Sequence, residues 1–204
     1  MFNALGYDDW SWNNDYNDVP TYFNWAENEP SINPDTDINY VQLMQGYDNG
    51  MDYPTGKWFV PQDQTEPGYY VCQSPKVPTN PTTINPETST PNQDLKCMPG
   101  YQDVVQNSGK CYYFSSSENI RTRQEAVAVC DKLMDFGYDG VDYNPENTQL
   151  VSISSDYEND ALFNEMYYSL NIQSAWIGLS WNGKENYDLS NSSKVNYIAC
   201  SEKF

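Results

Sequence analysis

The chain has 204 residues, with 10 Lys and Arg against 29 Asp and Glu, a net charge of -19, no His, 5 Cys, 18 Tyr and 6 Trp. Such a charge repels phosphate and anionic headgroups, so it argues against nucleic-acid binding and electrostatic membrane docking. The missing imidazole removes every His-dependent triad, His-based zinc site and imidazole pH switch.

Met1-Phe2-Asn3-Ala4-Leu5 opens the chain without a basic or apolar leader region, and no apolar run approaches the roughly 18 residues of a membrane span. From residue 9 to residue 37 the chain is rich in Asn, Asp and Trp with little periodicity, which predicts a long loop region pinned by aromatic rings. Strands are predicted at Tyr40-Val41-Gln42-Leu43-Met44, Lys57-Trp58-Phe59-Val60 and Gly68-Tyr69-Tyr70-Val71-Cys72. The Gly- and Pro-bearing turns between them suit an antiparallel meander.

Residues 75–96 carry Pro75, Pro78, Pro81, Pro86 and Pro91 among threonines and almost nothing apolar. They form an extended spacer between segments 1–74 and 97–204, either a plain linker or, in a secreted chain, one suited to O-glycosylation. Beyond it, Cys111-Tyr112-Tyr113-Phe114 reads as a short buried strand. Thr122 with Glu125 forms a capping box, and Ala126, Val129, Cys130 and Leu133 follow at helical spacing. After an acidic loop from Asp135 to Gln149, Leu150-Val151-Ser152-Ile153 reads as a strand. Ser155 with Glu158 opens a second helix whose Leu162, Phe163, Met166 and Leu170 lie close to one face, and Ala175-Trp176-Ile177-Gly178-Leu179 has the content of a central strand.

With no His and no CxxC pair, the cysteines fit neither zinc nor a thioredoxin-like motif, which leaves a disulfide framework and an oxidising compartment. Their odd number, together with the absent leader, suggests an incomplete copy of something larger.

In order along segment 97–204, Cys97, Cys111-Tyr112-Tyr113-Phe114, Arg123-Gln124-Glu125-Ala126, Cys130, Leu150-Val151-Ser152-Ile153, Glu158-Asn159 and Trp176-Ile177-Gly178-Leu179 resemble the first half of the C-type lectin-like domain family. Trp10-Ser11-Trp12, Asn24-Trp25, Glu29-Pro30, Gly56-Lys57-Trp58 and Tyr69-Tyr70-Val71-Cys72 resemble that family's second half. The resemblance spans roughly four-fifths of the chain. It implies an α+β fold, with two helices packed on small antiparallel sheets beside a long loop region. The implied units are 1–74 as the back half of one domain, 75–96 as a linker and 97–204 as the front half of a second, with a short divergent tail. They form either two partial domains of a truncated tandem chain or one circularly permuted domain, because the family's termini lie side by side. Family pairing joins Cys97 to Cys111 and ties Cys130 to a terminal-strand cysteine, for which Cys72 and Cys200 are both candidates.

Sugar-binding members hold a calcium ion (Ca2+) by a Glu-Pro-Asn type motif and a Trp-Asn-Asp motif, because calcium takes about 6 to 8 hard oxygen ligands. Here the first motif is Glu29-Pro30-Ser31, and the second is Trp58-Phe59-Val60, which has lost both oxygen ligands. The principal site is therefore expected to be degraded. Glu29, Ser31, Asp35, Asp37 and Asn39 form either a displaced calcium site or a solvated acidic loop. The family's inner disulfide is missing as well, with Tyr40 at one of its positions. Tyr16 and Tyr22 are candidates for stacking on sugar, whereas Trp10, Trp12 and Trp25 read as core pins.

The resemblance implies an extracellular recognition module that binds a glycan or glycoprotein. The alternatives are a calcium-independent ectodomain with a protein ligand, and a nonfunctional fragment. Asn191-Ser192-Ser193 is an N-glycosylation acceptor triplet consistent with secretion. No enzyme is predicted, since no activated nucleophile or phosphate-cradling loop is visible and carboxylate pairs carry no information in so acidic a chain.

Overall fold

The structure is a computed structural model that describes residues 10–12, 19–32, 39–46, 55–78, 95–132 and 148–181. In chain order the elements are β1 (Trp10–Trp12), β2 (Asn39–Gly46), β3 (Thr55–Phe59), β4 (Tyr69–Pro75), β5 (Val77–Pro78), β6 (Leu95–Lys96), β7 (Lys110–Phe114), α1 (Arg123–Lys132), β8 (Gln149–Leu150), α2 (Asp156–Asn164) and β9 (Ser174–Trp181). The fold is mixed α+β, with the two helices packed on one seven-stranded sheet.

The strands follow the side-chain patterns that make them. In β3 the inward residues alternate, with Gly56 and Trp58 buried and their neighbours half-buried, as a strand with one face on the core requires. The continuous buried run Ala175–Leu179 of β9 has packing on both faces and takes the centre of the sheet. The order is β3-β2-β9-β4-β7, with β1 also pairing to β9 and β8 to β4.

That order corrects the predicted meander. β2 and β3 are antiparallel neighbours, with Leu43 opposite Trp58, but β9 separates β2 from β4. β4 runs parallel to β9, placing Tyr69 opposite Ala175 and Tyr70 opposite Trp176. The most apolar strand occupies the most buried position, so it displaces the pairing that sequence order suggests.

Strands before the spacer and strands after it are thus interleaved in a single sheet. The spacer leaves and returns at adjacent points, because Val77 pairs with Lys96 and Pro78 with Leu95. Two disulfides join the parts. Cys72 of β4 is bonded to Cys130 of α1, with 5.5 Å between Cα atoms, and Cys97 is bonded to Cys111. Of the two candidates for Cys130, the partner is therefore Cys72; Cys200 lies outside the described residues.

Both helices begin as their sequences predict, with one modification. The Thr122 hydroxyl accepts from the Glu125 amide at 3.3 Å while the Glu125 carboxylate accepts from the Thr122 amide at 3.1 Å, a complete capping box. Ser155 caps α2 through the Glu158 amide at 3.2 Å, but the Glu158 carboxylate turns to the amide and hydroxyl of Ser154 instead of closing the box. Leu162, Phe163 and Met166 are buried as expected. Leu170 is instead 39% exposed, because a π turn at Glu165–Ser169 shifts the helical phase before the chain turns away.

The core is aromatic around Trp58, which is fully buried and touched edge-on by Trp12, Tyr22 and Trp25 with centroids 5.9, 5.5 and 5.8 Å away. Two glycines permit close approach. A Cβ on Gly178 would lie 2.9 Å from the Leu150 carbonyl oxygen, and one on Gly56 would lie 2.8 Å from Cβ of Phe163 in α2.

Candidate functional site

The segment around Glu29 is built on the edge of β3. The Trp58 amide donates to the Asn24 carbonyl at 2.9 Å and the Ala26 amide to the Trp58 carbonyl at 3.1 Å, so the loop covers the outer edge of the sheet. The chain then turns through Asn28, with φ of 66°, and a cis Glu29-Pro30 peptide. The Glu29 carboxylate lies over the Val60 amide.

Both carboxylate oxygens of Glu29 accept hydrogen bonds from the protein itself. Oε2 accepts from the Ser31 amide at 2.9 Å and the Val60 amide at 3.0 Å, and the Ser31 hydroxyl donates to Oε1 at 3.0 Å and to Oε2 at 3.2 Å. The predicted ligands Glu29 and Ser31 are therefore together, but as carboxylate and hydrogen-bond donor. Asn39 is fully buried in β2, where its Oδ1 accepts from Gln64 Nε2 at 3.2 Å, and the neighbouring Tyr40 amide donates to Gln64 Oε1 at 2.7 Å. Tyr22 is half-buried, with its ring against Trp58. Tyr16, Asp35, Asp37 and Asn191 lie outside the described residues.

A calcium ion needs about 6 to 8 oxygens converging on one point. The described residues do not fit it: Glu29 faces amide and hydroxyl donors, and Phe59 and Val60 offer no side-chain oxygen. Among the described residues there is also no group of three or more Asp, Glu, His or Cys positioned to hold a metal.

The polar residues with the densest interactions lie elsewhere, and sequence reasoning missed their roles. Glu158 is 3% exposed and accepts from Lys110 Nζ at 2.8 Å, the Tyr112 hydroxyl at 2.9 Å, and the Ser154 amide and hydroxyl at 2.9 and 2.8 Å. Burial alone would push this carboxyl's pKa up, but the Lys110 charge and the converging donors outweigh it and hold the pKa below its ordinary value. Tyr112, buried against that carboxylate, has its phenol pushed up in turn.

Asn159, the next residue, is fully buried: Oδ1 accepts from Trp58 Nε1 at 2.8 Å and Nδ2 donates to the Gly56 carbonyl at 3.0 Å. In α1, Arg123 lies with its guanidinium carbon 4.4 Å from the Tyr40 ring centroid, and its Nη2 donates to the Gly178 carbonyl at 3.3 Å. Burial lowers its pKa to about 10, against a small opposing effect of Tyr40. The signal available in sequence was the adjacency of Glu158 and Asn159 on the apolar side of a helix, where a polar pair persists only with partners.

No protein-family model, no curated protein and no solved structure matches this chain.

Proposed function

We propose that this chain is an extracellular recognition module, a single circularly permuted C-type lectin-like domain that engages a protein ligand without calcium. The observation that carries the reading is the state of Glu29. The carboxylate that would coordinate calcium in a sugar-binding relative of this type is taken up by Ser31 and Val60, so it braces its own loop. With Phe59 and Val60 at the second motif, calcium-chelated sugar recognition has lost its ligands while the loop scaffold is kept.

The permuted arrangement is supported by the interleaved strands, by the Cys72–Cys130 bond across the two segments and by the pairing of the spacer's ends. Two disulfides in so small a core support an oxidising, extracellular setting.

The test is binding of the secreted, oxidised chain to a glycan array and to a panel of extracellular protein domains, each with calcium and with EDTA. The reading expects capture of a protein domain that EDTA leaves unchanged. Glycan binding that EDTA abolishes would overturn it.

A further inference from the structure

The outer face of α2 and of the π turn that continues it combines exposed aromatic rings with acidic side chains. Tyr157 is 61% exposed and Tyr168 60%, the largest exposures of any big hydrophobic side chain among the described residues. Tyr157 stands in the first turn of α2 and Tyr168 in the π turn that continues it, so both rings rise from the solvent-facing side of one continuous helical segment. Half-buried Ala161 leaves the surface between them low.

Tyr168 is braced. Tyr167 stacks on buried Phe163, with centroids 5.3 Å apart at 13°, and meets Tyr168 edge-on at 5.0 Å and 86°. Both rings lie in the π turn at Glu165–Ser169, where Tyr167 is half-buried and Tyr168 exposed; such turns are frequent at functional sites.

Asp156 and Asp160 are exposed beside the rings, and the Glu165 carboxylate is held by the Ser169 hydroxyl at 2.9 Å. No Lys or Arg occurs in the sequence between Lys132 and Lys184. Among the described residues none of these three acids is in a salt bridge. A second copy of this chain would bring the same acids and another charge of -19, so self-association through this face is repelled.

We infer that the outer face of α2 docks a basic, extended segment of a partner protein. The Tyr157 and Tyr168 rings would take cationic side chains on their faces, with Asp156, Asp160 and Glu165 pairing the charge. Arg suits the rings best, because its planar guanidinium stacks on an aromatic face while donating sideways to carboxylates. This surface is independent of the loop around Glu29 and does not rest on the proposed function.

The probe is a short fluorescent peptide of alternating Arg and Gly, measured by anisotropy against the full oxidised chain at physiological ionic strength, with a Glu-Gly peptide as control. The Tyr157→Ala/Tyr168→Ala double variant should bind the Arg-Gly peptide about tenfold more weakly, the loss expected for two exposed cation–π contacts. The Tyr157→Phe/Tyr168→Phe variant, which keeps both rings, should bind as the parent does. An Asp63→Asn/Glu66→Gln/Glu118→Gln variant, which removes as many exposed acids elsewhere, should change affinity less than twofold. Equal binding by the alanine variant would overturn the inference. So would a loss in the distant-acid variant as large as that in the alanine variant, because the attraction would then be the diffuse field of an acidic protein.

Discussion

Replacing Asn159 with Ala should cost the fold about 4 kcal/mol, and the size of the loss follows from its contacts. The change removes the acceptor of Trp58 Nε1, leaving a fully buried N–H without a partner, at about 1–3 kcal/mol. It also removes a donor to the Gly56 carbonyl, which keeps a hydrogen bond from Asn24 Nδ2, so this second loss is nearer about 1 kcal/mol. The vacated amide volume adds about 1 kcal/mol. Against the roughly 5–15 kcal/mol that holds a domain together, this is a large fraction. The assay is urea unfolding followed by Trp fluorescence and by far-ultraviolet circular dichroism. Trp58 and Asn159 come from opposite sides of the spacer, so both signals should shift together to a lower midpoint with unchanged slope. Asn159→Asp keeps the acceptor for Trp58 but sets a carboxylate oxygen against the Gly56 carbonyl, and it should lose comparable stability at neutral pH. A loss below about 1 kcal/mol, or fluorescence that shifts while the helical signal stays in place, would refute the reasoning.

Cys72→Ala/Cys130→Ala opens a loop with a sequence separation of 58 and should lower stability by about 4 kcal/mol in the chain-entropy account, read as the urea midpoint of the oxidised protein. Glu158→Gln should cost about 2 kcal/mol at pH 7, since it breaks a largely buried pair whose lysine still reaches some water. The folded pKa of Glu158 is depressed, so its contribution is present above the unfolded value near ~4.3 and is lost as pH falls through the folded value. The gap between parent and Glu158→Gln, followed by thermal unfolding across pH, should therefore close on acidification; a constant gap would contradict the assignment. Glu29→Ala should lower stability by about 1–2 kcal/mol through the loss of its bonds to Ser31 and Val60, and calcium should leave the Tm of the parent unchanged. A calcium-dependent rise in Tm that Glu29→Ala removes would show that the carboxylate is a ligand after all.

The elements most legible in the sequence were those whose patterns are local. The Thr122–Glu125 box and the β9 run depend on neighbours a few residues away, and the structure has them close to the predicted places; of the stripe predicted for α1, Ala126 and Cys130 are buried, Val129 is half-buried and Leu133 lies outside the described residues. β1 was read as loop, because Trp10–Trp12 is too short to show alternation and becomes a strand only by pairing with Trp181, Ser180 and Leu179. The strand predicted at Leu150–Ile153 pairs only over Gln149–Leu150; Val151 donates to Val71 and accepts from Gly178 without extending the ladder. The order of the sheet was not legible, since it depends on which of several apolar strands wins the centre. At the site, the resemblance to a lectin motif pointed to Glu29 as an oxygen ligand, but its engagement depends on the amide of Val60, 31 positions away. Glu158 and Asn159 were visible as a motif, yet their partners Lys110, Tyr112, Trp58 and Gly56 could be named only once the chain had folded.

The central claim is that the segments on either side of the spacer form one interleaved domain, and the disulfide map of the oxidised protein tests it most directly. Non-reducing peptide mapping should recover Cys72 joined to Cys130 and Cys97 joined to Cys111. Recovery of Cys130 joined to Cys200 would tie the helix to its own segment and contradict the account.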